Sequence, residues 1–286
     1  MKRKTFLFFV APSVIIMVIL MVLPLLGSIY LGFNLITFRN MLSPKWIGLE
    51  NYRYALADPA FWASVKFTLK YMIVTVPTSI LLGYVLALML DQVTRFRGVL
   101  IAAMLLPMVI TPVVSTMMFK DMFDKTGLYY YLLKVIFDYK FILNSTTAPI
   151  LIILHSLWGG LTFPMIVLFA GLQSQNIEIT EAAMVDGADW FQRLIYIVTP
   201  QLRSLFVFII LISLMDGYRV FDSIFVITQG NPIFKADSVL YYTYHTAMAY
   251  GNLGRGNAMA ILTVIGIFVV LIPYLVNTYH SQLEER

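Results

Sequence analysis

Six long apolar runs divide this sequence, and they constrain its fold more than any other feature. Each run has about 20 residues or more, the length at which an α-helix crosses the hydrocarbon layer of a membrane. Backbone polar groups inside a bilayer must find partners within the protein, so such runs form helices. They predict an all-α membrane protein with six transmembrane helices at about residues 6–33, 67–90, 99–119, 148–172, 205–228 and 258–280.

The composition agrees with a chain that lies mostly in lipid. Hydrophobic residues make up 60% of the 286 residues and charged residues only 12%, whereas soluble domains carry roughly a quarter charged residues. No fixed-period repeat or Gly/Ser-rich linker divides the sequence, which predicts one transmembrane domain over residues 1–286. The first apolar run is far longer than the core of a secretory signal, so we expect it to be retained as an anchor.

Charge and residue usage narrow the classes of function. The net charge of +5 is interpreted as basic loops at a membrane surface, and no nucleic-acid partner is expected. The chain has no Cys, which excludes disulfides and thiolate chemistry, and His155 and His245 lack the spacing of metal ligands. Neither a phosphate-binding Gly-x-x-x-x-Gly-Lys-Ser/Thr sequence nor a catalytic constellation occurs. We therefore expect no metal, no cofactor and no enzymatic site in the chain itself.

A polar segment at residues 173–204 separates the fourth apolar run from the fifth. Thr180 is predicted as the N-cap of a short helix and Gly187 as the left-handed residue that ends it. A second helix is predicted beyond the glycine, because apolar residues recur there with helical spacing. Pro200 is predicted to mark the break before the fifth span. The segment contains Glu181-Ala182-Ala183, Asp186-Gly187, Ile197 and Pro200 in fixed register.

This segment resembles the cytoplasmic EAA loop in the membrane-spanning subunit of binding-protein-dependent ABC importers. The family pattern is Glu-Ala-Ala, three residues, Gly, nine residues, Ile, one residue, Leu, Pro. The chain matches every named place except Thr199, where Leu is usual. Further resemblance, to the carbohydrate-uptake branch, runs through Gly48-Leu49, Asn51-Tyr52, Arg97-Gly98, Pro107, Gly127, Trp158, Gly171-Leu172-Gln173, Phe221-Asp222 and Thr228 to Pro232.

The resemblance implies a type I ABC importer permease fold with a cytoplasmic coupling helix between spans four and five. It implies that Glu181 meets a basic residue of an ATPase subunit and that Gly187 provides a bend. By the same resemblance, the ATPase-coupling residues are Glu181, Ala182, Ala183, Asp186, Gly187, Ile197 and Pro200. The implied partners are a second homologous permease, two ATPase subunits that bind ATP and Mg²⁺, and an extracytoplasmic solute-binding protein.

The resemblance also gives an expected location and orientation. Lys and Arg are not concentrated on one side of the predicted spans, so charge alone does not orient the chain. A loop that docks an ATPase must be cytosolic, and an even number of spans puts both termini on the same side as that loop. We therefore expect a multi-pass protein of the bacterial inner membrane, in contact with lipid, with both termini and the EAA loop in the cytoplasm.

The predicted cargo is a sugar or an oligosaccharide. Sugar sites combine an apolar lining with a few placed polar groups, and the spans offer Asp216, Tyr218, Arg219, Trp158 and Thr111 as candidates. Asp216 and Arg219 are three residues apart and can pair on one helix face. The alternatives are the same architecture with glycerol phosphodiesters, polyamines or another polar solute as cargo, a secondary transporter driven by an ion gradient, and a membrane-embedded enzyme.

Overall fold

A computed structural model describes residues 3–284 of the chain, and most of these residues are helical. The first elements are α1 Arg3–Met17, a π-helical turn Val18–Val22, α2 Leu23–Gly32, β1 Asn34–Leu35, β2 Lys45–Trp46, α3 Glu50–Ala57 and α4 Pro59–Gln92. They are followed by α5 Arg97–Val109, α6 Pro112–Phe123, α7 Leu128–Phe137, α8 Thr147–Gly160, α9 Thr162–Gln173, α10 Ile177–Val185, α11 Trp190–Arg193, a π-helical turn Leu194–Val198 and α12 Thr199–Gln201. The last elements are α13 Arg203–Tyr218, α14 Asp222–Thr228, a 3-10 turn Pro232–Phe234, α15 Val239–Met248 and α16 Leu253–Glu284.

Several of these helices meet the requirements for crossing a membrane. Within residues 3–284, four segments are long and apolar enough, and a fifth candidate is the bent pair formed by α5 with the helices that follow it. The four segments are Phe8–Gly32, Pro59–Gln92, Thr147–Gln173 and Arg203–Thr228. A shorter apolar helix covers Leu253–Val269. The helical membrane class is thus confirmed, and the count of six spans stays a prediction.

The third predicted span, residues 99–119, is not one straight helix. The chain leaves helical conformation at Ile110 and Thr111, and the segments on either side are bent by 96°. The cause is Pro112, whose ring excludes the α conformation for the residue before it. Thr111 accordingly has an extended backbone with φ −60° and ψ 139°. The helix predicted over residues 99–119 is thus broken at this place, and its crossing of the membrane stays a prediction.

The chain divides into two compact units, one made of residues 1–63 and 239–286 and the other of residues 64–238. In the first unit, the buried Asn51 side chain donates from Nδ2 to the backbone oxygens of Gly32 and Asn34, each at 2.9 Å. Ser28 donates to Asn257 at 2.6 Å, which joins α2 to α16. The prediction of a single transmembrane domain stays a prediction.

The second unit has a tightly packed apolar core where α4, α9 and α13 meet. Its buried members are Ala87, Leu90, Met165, Leu168, Phe169, Leu202 and Ile209. Gly83 of α4 lies so close to α9 that a Cβ added there would be 2.9 Å from the backbone nitrogen of Met165. This core supports the polar segment at residues 173–204, because Leu202 and the partly buried Val198 belong to it.

Candidate functional site

Helix α10 carries the Glu-Ala-Ala sequence at the exposed end of the second unit. Its N-cap is Asn176, whose side chain accepts from the backbone nitrogen of Glu178. The prediction of Thr180 as N-cap was wrong, because Asn176 is a good capping residue and starts the helix one turn earlier. Glu181 and Ala182 are exposed and Ala183 is half-buried. Small side chains on an exposed helix allow another protein to approach its backbone closely.

Helix α10 ends in a tight, defined turn. The backbone nitrogen of Ala188 donates to the oxygen of Ala183 at 2.9 Å, and that of Gly187 donates to Met184 at 3.1 Å. This pair of bonds is the Schellman motif, which needs a left-handed residue after the C-cap. Gly187 supplies it with φ +84°, and Asp186 is the C-cap. The predicted left-handed role of Gly187 is confirmed.

A second helical segment, residues 190–201, follows the turn as the spacing predicts. Asp189 and Gln192 form a capping box at its start, in which each side chain accepts from the other's backbone nitrogen. The helix widens into a π-helical turn at Leu194–Val198, because Pro200 has no N–H to continue the α-helical pattern. Ile197 lies half-buried within this turn, and α13 begins shortly after Pro200, at Arg203.

Side-chain hydrogen bonds tie this segment to the ends of the neighbouring helices. Gln175 donates to the backbone oxygen of Val198 at 2.9 Å. Gln173 donates to the carboxylate of Asp91 and accepts from Arg97 at 3.2 Å. Arg97 also donates to the backbone oxygen of Asp91 at 3.1 Å. The ends of α4 and α9 and the start of α5 are therefore fixed to one another beside residues 176–201.

A cleft of ≈ 450 Å³ opens next to this network. Its polar lining comes from Asp91, Gln92, Gln173, Gln175, Thr180 and Arg193, and Trp190 is among its apolar residues. Residues on both sides of Gly187 thus line this cleft. Within the described part of the chain, no group of three or more His, Asp or Glu side chains could hold a metal ion.

The candidate pathway residues lie on three helices. Arg219 donates to the Asp216 carboxylate at 3.1 Å, with side chains 68% and 64% exposed respectively, so the predicted pairing is confirmed. Trp158 of α8 is half-buried and lies against Phe119, with ring centroids 5.3 Å apart. No hydrogen bond or ring contact among residues 8–269 joins Trp158 to the Asp216–Arg219 pair.

The remaining two candidates are at helix ends. Thr111 is the exposed N-cap residue of α6, at the bend before Pro112, and Tyr218 is the half-buried last residue of α13. The structure thus pairs two of the five predicted pathway residues. It also identifies residues that no sequence motif marked, namely Asp91 and Gln175 beside the coupling segment.

No family model matches the chain. Curated proteins that match it over nearly its whole length are transport permeases. The chain is 30% identical to a probable ABC transporter permease protein of Pyrococcus horikoshii, over 97% of this chain and 96% of the relative. It is 28% identical to the trehalose/maltose transport system permease protein of Thermococcus litoralis, over 93% and 90%. It is also 28% identical to the arabinooligosaccharides transport system permease protein of Bacillus subtilis, over 94% and 87%.

The fold has solved counterparts. A chain in the crystal structure of a bacterial ABC transporter that imports the acidic polysaccharide alginate superimposes with a TM-score of 0.80 at 22% identity, over 95% of this chain and 94% of that chain. A structure of a bacterial alginate ABC transporter in complex with an alginate pentasaccharide-bound periplasmic protein also gives a TM-score of 0.80. Similarity in sequence to the permeases and in fold to the importer leads to one conclusion: the chain belongs to the family of ABC transporter permeases.

Proposed function

We propose that this permease forms half of the translocation path of an ATP-driven importer for a sugar or an oligosaccharide. The observation that carries the proposal is the exposed turn between α10 and α11, which follows the fourth apolar segment and precedes the fifth. The path would be completed by a second, homologous permease. ATP and Mg²⁺ would be bound by two partner ATPase subunits, and an extracytoplasmic solute-binding protein would deliver the cargo.

The turn has the properties of a docking element for the ATPase. Within residues 3–284, no hydrogen bond or ion pair engages the Glu181 carboxylate, which leaves it available to a basic residue of a partner. The Schellman bonds at Gly187 and the capping box at Asp189 make the turn rigid. A rigid turn supported by a packed core can transmit a displacement that a flexible loop would absorb. Glu181, Ala182, Ala183, Asp186, Gly187, Ile197 and Pro200 form the proposed coupling site.

The proposed orientation follows from this docking role. The ATPase binds ATP in the cytoplasm, so the turn between α10 and α11 lies there. With six spans, α16 and the shorter Leu253–Val269 apolar helix within it would supply the last crossing. Both termini would then be cytoplasmic and the protein would be a multi-pass component of the bacterial inner membrane.

A neutral sugar is the cargo that the charges favour. Arg219 would favour an anionic cargo if its charge were uncompensated, but Asp216 is 3.1 Å away and neutralises it. The relatives from Thermococcus litoralis and Bacillus subtilis are permeases of trehalose/maltose and arabinooligosaccharide transport systems. Asp216, Tyr218, Arg219, Trp158 and Thr111 are the proposed pathway residues, the first three at or near the end of α13.

Purification of the tagged chain from its native membrane in mild detergent tests the assembly. We expect a second permease and an ATPase to copurify with the wild-type chain. The ATPase should be lost, and the second permease retained, when Glu181→Arg is introduced. Glu178→Arg on the same exposed helix is the matched control and should retain the ATPase. Recovery of the chain alone, in a form that still moves solute, would favour a gradient-driven transporter instead.

Reconstitution of the purified complex into liposomes with its binding protein tests the cargo. Uptake of labelled trehalose, maltose, arabinotriose, an alginate oligosaccharide and glycerophosphocholine is compared, each with ATP and with ADP. We expect ATP-dependent uptake of at least one neutral sugar that persists when ion gradients are collapsed. Uptake restricted to glycerophosphocholine would overturn the sugar proposal and keep the importer.

A further inference from the structure

Tyr84 and Thr199 meet where α4 passes the coupling segment, which we define as residues 176–201. Their side-chain oxygens are 2.9 Å apart, although the residues are 115 positions apart in the sequence. The ring of Tyr84 contacts the ring of Phe206 edge to face, with centroids 5.2 Å apart. Both aromatic residues border the apolar core of the second unit.

The direction of this hydrogen bond follows from counting protons. The Thr199 hydroxyl has one proton and donates it to the backbone oxygen of Leu194 at 2.7 Å. Tyr84 must therefore be the donor in its bond with Thr199. The result is a chain of two bonds that runs from the Tyr84 hydroxyl through Thr199 to Leu194, at the first residue of the π-helical turn.

Thr199 is the one position at which the EAA pattern of this chain departs from the family pattern. A leucine at this place could pack against Tyr84 but could not accept its proton or donate to Leu194. A hydrogen bond has a preferred distance and angle, whereas apolar packing permits sliding. The departure therefore replaces an adaptable contact with a directional one at the joint between the coupling segment and α4.

We propose that Tyr84 and Thr199 are positioning residues, which lock the coupling segment to α4 so that the two move as one body during transport. The inference rests on the proposed role of this segment in binding the ATPase. The bonds of Gln175 to Val198 and of Gln173 to Asp91 hold the ends of α4 and α9. Val198 is next to Thr199, so the Gln175 bond holds the same end of the segment to the end of α9. Helix α4 is thus bonded to α9 at Asp91 and to the coupling segment at Tyr84.

Spin labels provide a readout that does not require the cargo. The chain has no Cys, so Met89→Cys on α4 and Tyr196→Cys on the coupling segment, both exposed, are the two thiols of this chain and can be labelled before it is assembled with its partners. The distance between the labels is measured in the assembled transporter, first without nucleotide and then with ATP and vanadate. We expect the same narrow distance distribution in both states.

Removal of either hydroxyl should free the coupling segment from α4. Tyr84→Phe and Thr199→Val each delete the bond with little change in shape, and the distance distribution should broaden and differ between the two states. A hydrogen bond of ordinary strength corresponds to about a fivefold change in an equilibrium between two states. ATP hydrolysed per solute molecule transported should rise by about that factor.

The double variant Tyr84→Phe/Thr199→Val tests whether the two single substitutions act through the same hydrogen bond or independently. Tyr84→Phe deletes only the bond between the two side chains, whereas Thr199→Val also deletes the bond to Leu194. The double variant should therefore be no more impaired than Thr199→Val alone. Thr199→Leu, which restores the family pattern, should behave like Thr199→Val in the distance measurement. Phe206→Leu, which removes the neighbouring ring but no hydroxyl, is the control for packing and should retain the state-independent distance.

The outcomes distinguish this inference from the proposed function. Wild-type distances in Tyr84→Phe and Thr199→Val, with the ATPase still bound, would overturn the inference and leave the coupling role intact. An additive loss in the double variant would also overturn it. Retention of the ATPase by the Glu181→Arg variant would instead contradict the coupling role, whatever the distances are. Thermal unfolding of each variant checks that the fold is kept.

Discussion

The Nε2 atom of His155 lies 2.9 Å from the Oγ atom of Ser115, in the buried contact between α8 and α6. The Ser115 hydroxyl also lies 3.0 Å from the backbone oxygen of Pro112, and Thr116 donates to the same oxygen at 2.6 Å. Ser115 is therefore hydrogen-bonded to His155, and the histidine tautomer decides which of the two donates. The Nδ1 atom of His155 is buried and has no hydrogen-bond partner among the residues that the structure describes. The histidine thus fixes the start of α6, immediately after the bend at Thr111.

Replacement of His155 tests the contribution of this hydrogen bond. Gln places an amide nitrogen close to the position of Nε2, whereas Met has a similar length and no donor. We expect His155→Gln to be more stable than His155→Met by about 1 kcal/mol, the usual net contribution of a hydrogen bond. Thermal unfolding of the detergent-solubilised protein measures the difference. Equal stability of the two variants would mean that the imidazole acts through packing alone.

Substitutions of Gly187 should impair the coupling of ATP hydrolysis to transport. The φ of +84° at Gly187 is unfavourable for residues with a Cβ, by about 1–2 kcal/mol, and the ring of proline cannot adopt it. We expect Gly187→Pro to break the Schellman bonds and to uncouple ATP hydrolysis from transport, with a smaller effect for Gly187→Asn. The measurement is ATP hydrolysed per solute molecule in liposomes.

Gly160 offers the matched control for that substitution. It lies at the end of α8, and a Cβ added there would meet no atom within 4 Å. Gly160→Ala should leave ATP consumption per solute molecule unchanged. Normal coupling in Gly187→Pro would contradict the role proposed for the turn.

The Asp216–Arg219 pair should influence which cargo is preferred. The pair is largely exposed, so its loss should change stability by less than about 1 kcal/mol. Arg219→Ala leaves the Asp216 carboxylate uncompensated and should reduce competition by anionic oligosaccharides relative to neutral ones, with the ATPase still bound. Competitive uptake assays measure the preference, and Asp216→Ala should shift it in the opposite direction. Loss of assembly in either variant would assign the pair a structural role.

The contact between Tyr242 and Asp58 in the first unit should make stability sensitive to alkaline pH. Tyr242 donates to the Asp58 carboxylate at 2.6 Å, and burial, followed by this carboxylate, raises the pKa of Tyr242 well above its ordinary value. The raised pKa means that the folded state keeps the phenolic proton at a pH where the unfolded state loses it. This contribution to stability is therefore complete below about pH 10 and falls as the pH rises further.

Thermal unfolding between about pH 8 and about pH 11 measures this dependence. The free energy of unfolding should decrease above about pH 10, and Tyr242→Phe should remove part of the decrease. Tyr131→Phe, at an exposed position in the second unit, is the control and should keep the slope of the original chain. An unchanged slope in Tyr242→Phe would show that other groups cause the loss.

Local features of the sequence predicted much of the coupling segment. The left-handed turn at Gly187 and the helical spacing after it depend on nearby residues, and the structure has both. The N-cap was misassigned because Asn176 and Thr180 both have capping side chains, and sequence spacing alone did not decide between them. The bend at Thr111 also has a local cause in Pro112, but its size of 96° depends on how the flanking helices pack.

By itself the sequence determined that this chain is a helical membrane protein with an EAA-type segment, because apolar runs, turn residues and motif register are properties of neighbouring residues. Only the tertiary structure decided which distant side chains meet. Tyr84 donates to Thr199 and Gln173 to Asp91, contacts that depend on how α4 and α9 pack. Hydrogen bonds between distant residues require an angle and a distance that helix packing sets, and no local pattern encodes them.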